Sequence, residues 1–114
     1  MLSKQIILSL MLFCSFTAEA VVIVIHGSFA ADRGWWSTSG EFFKAVEKEA
    51  ARLGERVVPF CWSGHPSAKL IDVAGHNLAW LILSYPRNEH ITVIAHSNGG
   101  NVVNAASRAL FDPI

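Results

Sequence analysis

The twelve residues from His90 to Asn101, His-Ile-Thr-Val-Ile-Ala-His-Ser-Asn-Gly-Gly-Asn, constrain the fold more than any other part of the chain. A β-branched run comes first, and it is followed by Ser97, which has a small residue two positions before it, Ala95, and two positions after it, Gly99. An apolar pattern at helical spacing comes next. The pattern predicts a strand, a sharp turn and a helix, because small flanking residues let a strand and a helix approach closely around a strained serine. The alternative is a buried serine in an ordinary loop.

The rest of the chain repeats this alternation of strand and helix. Apolar runs predict strands at residues 21–25, 56–60 and 91–95. Apolar residues at spacings of three and four predict one helix from a capping box at residues 38–41 to Gly54, with its apolar stripe at Phe42, Val46, Ala50 and Leu53. Two further helices are predicted at about residues 67–84 and 98–110. The predicted order is therefore β-α-β-α-β-α.

This order predicts an α/β fold with a parallel sheet and right-handed crossovers. The run at residues 21–25 does not alternate, which is typical of a central strand buried on both faces. We expect three strands in the order 2-1-3 with helices on both faces. Ligands of such sheets bind beyond the carboxyl ends of the strands, where the strand order reverses. The turns at Gly27-Ser28 and Ser97-Asn98 are therefore predicted to lie side by side in one crevice.

The first twenty residues have the layout of a secretory signal peptide. Lys4 precedes an apolar run at residues 6–16, and Ala18-Glu19-Ala20 resembles a small-x-small cleavage site. We expect residues 1–20 to be a signal-peptide helix and residues 21–114 to be the domain. The protein would then be exported to the periplasm or secreted, and would meet a membrane only in transit. The alternative is an uncleaved membrane anchor, lengthened by the apolar residues 21–25.

Several classes of function are not supported by the composition. The chain has nine Lys and Arg and nine Asp and Glu, and it lacks a basic, aromatic-rich cluster, so we expect no nucleic-acid partner. It contains no Gly-rich phosphate-binding motif and no paired metal-ligand spacing of its histidines, so we expect no cofactor and no metal. Cys61 is the single cysteine after the predicted leader, which excludes a disulfide within the domain, and we expect it to be a core residue.

The two predicted turns have the groups that acyl transfer requires. A serine hydroxyl can act as a nucleophile, and the tetrahedral intermediate it forms needs N–H donors directed at the oxyanion. One donor would be the backbone amide of Asn98, and the other that of Ser28, with Phe29 as the alternative. Trp35 and Trp36 lie in the loop after the first strand, where they could line a substrate site or pack the loop against the domain.

Three motifs resemble the α/β-hydrolase superfamily, specifically its bacterial lipase and esterase branch. They are His26-Gly27, Trp62-Ser63-Gly64, and the six residues from Ala95 to Gly100, and the resemblance covers residues 21–110. It implies that Ser97 is the acyl-accepting nucleophile of a nucleophile elbow, and that the substrate is a small-molecule or lipid ester. It also implies that four residues shape the two turns: His26, Gly27, Ala95 and Gly99. His96 precedes the nucleophile in this pattern and is not its base.

The chain departs from this family on the carboxyl-terminal side of the serine. The superfamily places its catalytic acid and then its histidine after the nucleophile. After Ser97 this sequence has no histidine, and Asp112 is its one acidic residue. We therefore expect a hydrolase fragment that lacks the acid and histidine of the triad. The alternative is a catalytically inactive remnant that serves as a binding module.

Overall fold

The computed structural model describes residues 19–28 and 40–112. They form an α/β fold whose elements are β1 (Ala20–Ile25), α1 (Glu41–Arg52), β2 (Arg56–Phe60), α2 (Ala68–Leu83), β3 (His90–Ala95) and α3 (Gly99–Phe111). The three strands make a parallel sheet in the order β2-β1-β3, which confirms the predicted sheet and strand order. Most of the predicted signal peptide lies outside the described residues, as do Phe29, Trp35 and Trp36. None of the described helices is long and apolar enough to cross a membrane.

Strand β1 is the centre of the sheet. All its residues from Val21 to Ile25 are buried, because β2 and β3 flank it and helices cover its faces. The last residue of β1, Ile25, is in register with Phe60 of β2 and with Ala95 of β3. The carboxyl ends of the three strands are therefore level, so the turns that follow β1 and β3 begin at the same edge of the sheet.

The helices lie on opposite faces, as the crossover rule requires for this strand order. Helix α1 covers one face through a small cluster in which Phe43 packs on Val24. Helices α2 and α3 cover the other face, where the larger core lies. Its buried members are Ile23, Ile25, Phe60, Trp62, Ala74, Leu78, Ala79, Val102 and Ala106.

Two predictions about α1 are wrong. The helix begins at Glu41 after an N-cap at Gly40, so Glu41 is its first residue and not the third, which a capping box requires; Thr38, the predicted cap, lies outside the described residues. Phe43 is the fully buried residue, whereas Phe42 is 40% exposed and Leu53 is 73% exposed. Ala50 is buried and Val46 packs on the Phe43 cluster as predicted, so the stripe is wrong at its two ends, Phe42 and Leu53. The reason is that α1 covers β1 and β2 and leaves β3 uncovered on this face. The stop at Gly54 is confirmed, since its φ is +73°.

Cys61 is exposed, so its expected place in the core is wrong. The next residue, Trp62, fills that place and belongs to the large core. Successive side chains of an extended segment point to opposite sides, so a buried Trp62 directs its predecessor toward solvent.

An ion cluster at the amino ends of the strands was missed by sequence reasoning. The Arg56 guanidinium lies 3.1 Å from the carboxylates of both Glu19 and Glu89, and 5.2 Å from the ring centre of Tyr85. The side chain of Glu89 is 1% exposed, so this pair is shielded from water on one side. The Glu19 carbonyl also accepts a hydrogen bond from the His90 amide at 3.0 Å. The predicted cleavage site after Ala20 therefore falls within β1.

Gly75 lies where α2 and α3 are closest. A Cβ at this position would overlap the Cβ of Ala105 and lie 2.9 Å from backbone atoms of Ala105 and Ala106. Since these are backbone atoms of a packed helix, they cannot move aside without shifting α3. This contact explains why a residue of poor helix propensity occurs in the middle of α2.

We predict that Gly75→Ala destabilises the domain although alanine favours helices. Overpacking of this kind costs about 1–3 kcal/mol, against a gain of about 1 kcal/mol in helix propensity. Gly100→Ala is the matched control, because a Cβ at Gly100 has nothing within 4 Å. Urea unfolding of the two variants measures the difference, and equal stabilities would contradict the close contact.

Candidate active site

Ser97 lies at a strained turn between β3 and α3. Among residues 19–28 and 40–112 it is the one non-glycine residue with a positive φ, at 53°. This conformation is unfavourable for a residue with a side chain and persists where the surrounding structure fixes it. Here the His96 amide donates to the Ile25 carbonyl at 3.1 Å, and the Gly100 amide donates to the Ser97 carbonyl at 2.9 Å. The predicted strand, strained turn and helix are present.

The two glycines beside this turn allow a very close approach of backbones. A Cβ at Gly99 would lie 2.9 Å from the His26 carbonyl oxygen and 3.1 Å from that of Ile25. A Cβ at Gly27 would lie 2.9 Å from the His96 carbonyl oxygen and 3.0 Å from the Cβ of Ser97. Each glycine therefore belongs to one turn and contacts the other, which is the side-by-side arrangement expected from the topology. Ala95 ends β3 and is exposed.

His26 is fully buried and has a structural role at the end of β1. Its Nε2 accepts a hydrogen bond from the Trp62 amide at 3.1 Å, so its proton lies on Nδ1, which is 2.9 Å from the Gly27 carbonyl oxygen. The indole N–H of Trp62 donates to the His26 carbonyl at 2.8 Å, and the two rings stack with centroids 5.5 Å apart. Both imidazole nitrogens are therefore already hydrogen-bonded, and His26 holds the turn at Gly27 against the end of β2.

The side chains of Ser28 and Asn98 connect the two turns directly. The Asn98 Nδ2 donates to the Ser28 Oγ at 2.6 Å, and the Asn98 Oδ1 accepts from the Asn101 Nδ2 at 2.6 Å. Asn98 is also the N-cap of α3, where the amides of Gly99 and Gly100 close the first turn. Within the described ranges, no hydrogen bond of this turn is donated by the backbone amide of Asn98. An N–H group at a helix start is suited to bind an anion.

Within the described part of the chain no carboxylate is in contact with Ser97, and the nearest imidazole is that of its neighbour His96, whose Nδ1 would lie 3.0 Å from a Cβ at Gly27, as would the Cβ of Ser97. No histidine within residues 19–28 and 40–112 hydrogen-bonds the Ser97 hydroxyl. His90 begins β3, at the opposite end of a six-residue strand, about 16 Å away at the usual rise of a strand. Asp112 follows the thirteen-residue α3, about 20 Å from its start. The described site thus consists of a strained serine beside the first amides of α3.

An apolar cavity of about 470 Å³ opens beside the turn, at the carboxyl ends of β1 and β3. The described residues that line it are Val24, Ile25, Phe42, Ile94, Ala95 and His96. Val24 and Ile94 are register partners on the face that α1 leaves partly uncovered. The residues that the sequence offered as a possible substrate lining, Phe29, Trp35 and Trp36, lie outside the described residues, and the sequence analysis did not name Phe42 or Ile94 as cavity residues. The alternation of side chains along β3 was the signal for Ile94.

No family model, curated protein or solved structure matches the chain. Within the described part of the chain, no group of His, Cys, Asp and Glu side chains could hold a metal ion.

We predict that Ser97→Gly leaves the free energy of unfolding unchanged or raises it by about 1 kcal/mol, because glycine removes a strain of about 1–2 kcal/mol at positive φ. The matched variant Ser107→Gly, on the exposed face of α3, should lower it by about 1 kcal/mol. Denaturant unfolding of both variants tests the difference. Equal destabilisation by the two substitutions would show that Ser97 is not strained.

Proposed function

We propose that this chain is the nucleophile-bearing part of an α/β-hydrolase-like serine hydrolase of esterase or lipase type. The observation that carries the proposal is the positive φ of Ser97 at a turn between a parallel strand and a helix, with glycine on both sides of the contact. Strain of this kind concentrates at functional sites, where it directs a side chain to one place.

The proposed reaction begins with attack of the Ser97 hydroxyl on the carbonyl carbon of a small-molecule or lipid ester. The carbonyl oxygen becomes an oxyanion, which the amide of Asn98 would bind with that of Ser28 or Phe29. The positive end of the α3 dipole adds to this effect. One such donor is worth about 3 kcal/mol of transition-state stabilisation. The apolar cavity beside Phe42 suits the acyl group of the ester.

In this proposal the histidine and the acid of the triad come from a part of the protein beyond these residues, as the superfamily resemblance implies. Removal of the base leaves a small residual of triad catalysis, which comes from the oxyanion donors and from substrate binding. Since no described histidine bonds Ser97, a binding module that retains the crevice without acyl transfer is the second candidate.

We predict that a fluorophosphonate forms a covalent adduct on Ser97, because the turn exposes its hydroxyl beside oxyanion donors. Mass spectrometry of the intact protein and of its peptides locates the adduct. Ser97→Ala should abolish the adduct, and the matched variant Ser107→Ala should retain it, since Ser107 is also exposed but lies in the middle of α3.

The rate of adduct formation separates the two candidates. Modification of Ser97 at least about a hundredfold faster than that of free serine supports acyl transfer, since an aligned oxyanion donor alone contributes that much. Modification at the rate of free serine, in a folded protein, would overturn the hydrolase and favour the binding module.

We further propose that the protein is exported and that its signal peptide is cleaved after Ala20. N-terminal sequencing of protein from the cell envelope or medium should then begin at Val21. Ala18→Arg, which removes one small residue of the cleavage site, should accumulate the precursor. A mature protein that still begins at Met1 would instead identify the segment as an anchor.

A further inference from the structure

We infer that the side chain of Asn98 fixes the distance between the two oxyanion turns, and that Asn101 is the positioning residue that sets its orientation. The inference rests on the proposed function, since it concerns the donors of the proposed oxyanion hole. It assigns a role to a side chain that has no place in the reaction itself.

The hydrogen bonds form a short relay from α3 to the turn after β1. Asn101 Nδ2 donates to Asn98 Oδ1, and Asn98 Nδ2 donates to Ser28 Oγ, each at 2.6 Å. Ser28 and Asn98 are seventy residues apart in the sequence, and their backbone amides are the two proposed oxyanion donors. The side chain of Asn98 therefore joins the two backbone segments that must hold a fixed distance in the transition state.

The polarity of the relay determines which way the Asn98 amide points. A primary amide has one accepting end and one donating end. Because Asn101 offers its Nδ2, the Asn98 oxygen is turned toward α3 and the Asn98 nitrogen toward Ser28. Ser28 Oγ then accepts, and the positive end of the Asn98 amide dipole is directed to the turn that contains Ser28.

The isosteric substitution Asn101→Asp reverses this polarity. An aspartate at 101 accepts, so the Asn98 amide must turn its nitrogen toward α3 and present its oxygen to Ser28. The partial negative charge of that oxygen would then lie beside the forming oxyanion. Because residue 101 is in the first turn of α3, where a carboxylate is favourable, the variant should remain folded.

The test compares the rate of Ser97 phosphonylation in four proteins. We expect Asn101→Asp to lower the maximal rate constant of Ser97 labelling roughly tenfold. The fluorophosphonate concentration that gives half the maximal rate should change little. Asn101→Gln, which retains the donor, should be close to the wild type. Asn104→Asp adds the same charge one turn further along α3, without a bond to Asn98, and should also be close to the wild type.

The outcomes separate this inference from the proposed function. Normal labelling of Asn101→Asp, with Ser97 reactive in the wild type, would overturn the positioning role and leave the hydrolase intact. Equal losses in Asn101→Asp and Asn104→Asp would also overturn it, because charge alone would explain them.

A second readout does not depend on activity. In ¹H–¹⁵N spectra, Asn101→Asp should shift the backbone amide of Ser28 and the side-chain amide of Asn98, and Asn104→Asp should shift neither. If Ser97 of the wild type is unreactive, the proposed function fails and these spectra decide the relay by themselves. Unshifted resonances in Asn101→Asp would overturn it.

Discussion

The contact between the amino end of α3 and the carboxyl end of β1 is the constraint on which the site depends. Gly99 lies against the carbonyls of Ile25 and His26 with no room for a side chain. This contact fixes the first turn of α3 relative to the sheet and so holds Ser97 at a positive φ. In the core, the lack of a side chain at Gly75 of α2 allows close packing against Ala105 of α3. Two close helix contacts, one at the site and one in the core, thus support a single strained residue.

A buried histidine organises the other side of the crevice. Both ring nitrogens and the carbonyl of His26 are hydrogen-bonded, and its ring stacks on Trp62. A polar ring can be buried at little cost when its nitrogens are satisfied in this way. The three motifs that stand apart in the sequence are therefore one connected structure, in which Trp62 holds His26 and the Gly27 turn meets Ser97.

The parts of the fold that could be predicted were those with a local pattern. The unbroken β-branched run of β1 indicated a central strand, and the small residues around Ser97 indicated a strained turn. The pairings of Arg56 with Glu89 and of Trp62 with His26 could not be predicted, because each joins residues more than thirty positions apart. The first member of the α1 stripe was predicted wrongly, since Phe42 and Phe43 are adjacent and spacing alone does not say which one meets the sheet.

The two ends of the sheet are held together by different physical forces. At the amino end, the Arg56 guanidinium forms ion pairs with two carboxylates, one of them exposed, so dissolved salt weakens part of this attraction. At the carboxyl end, contacts between uncharged backbone groups and glycines hold the turns, and ions do not screen them. Changes of ionic strength therefore act on the end of the sheet remote from Ser97 and leave the geometry of the crevice as it is.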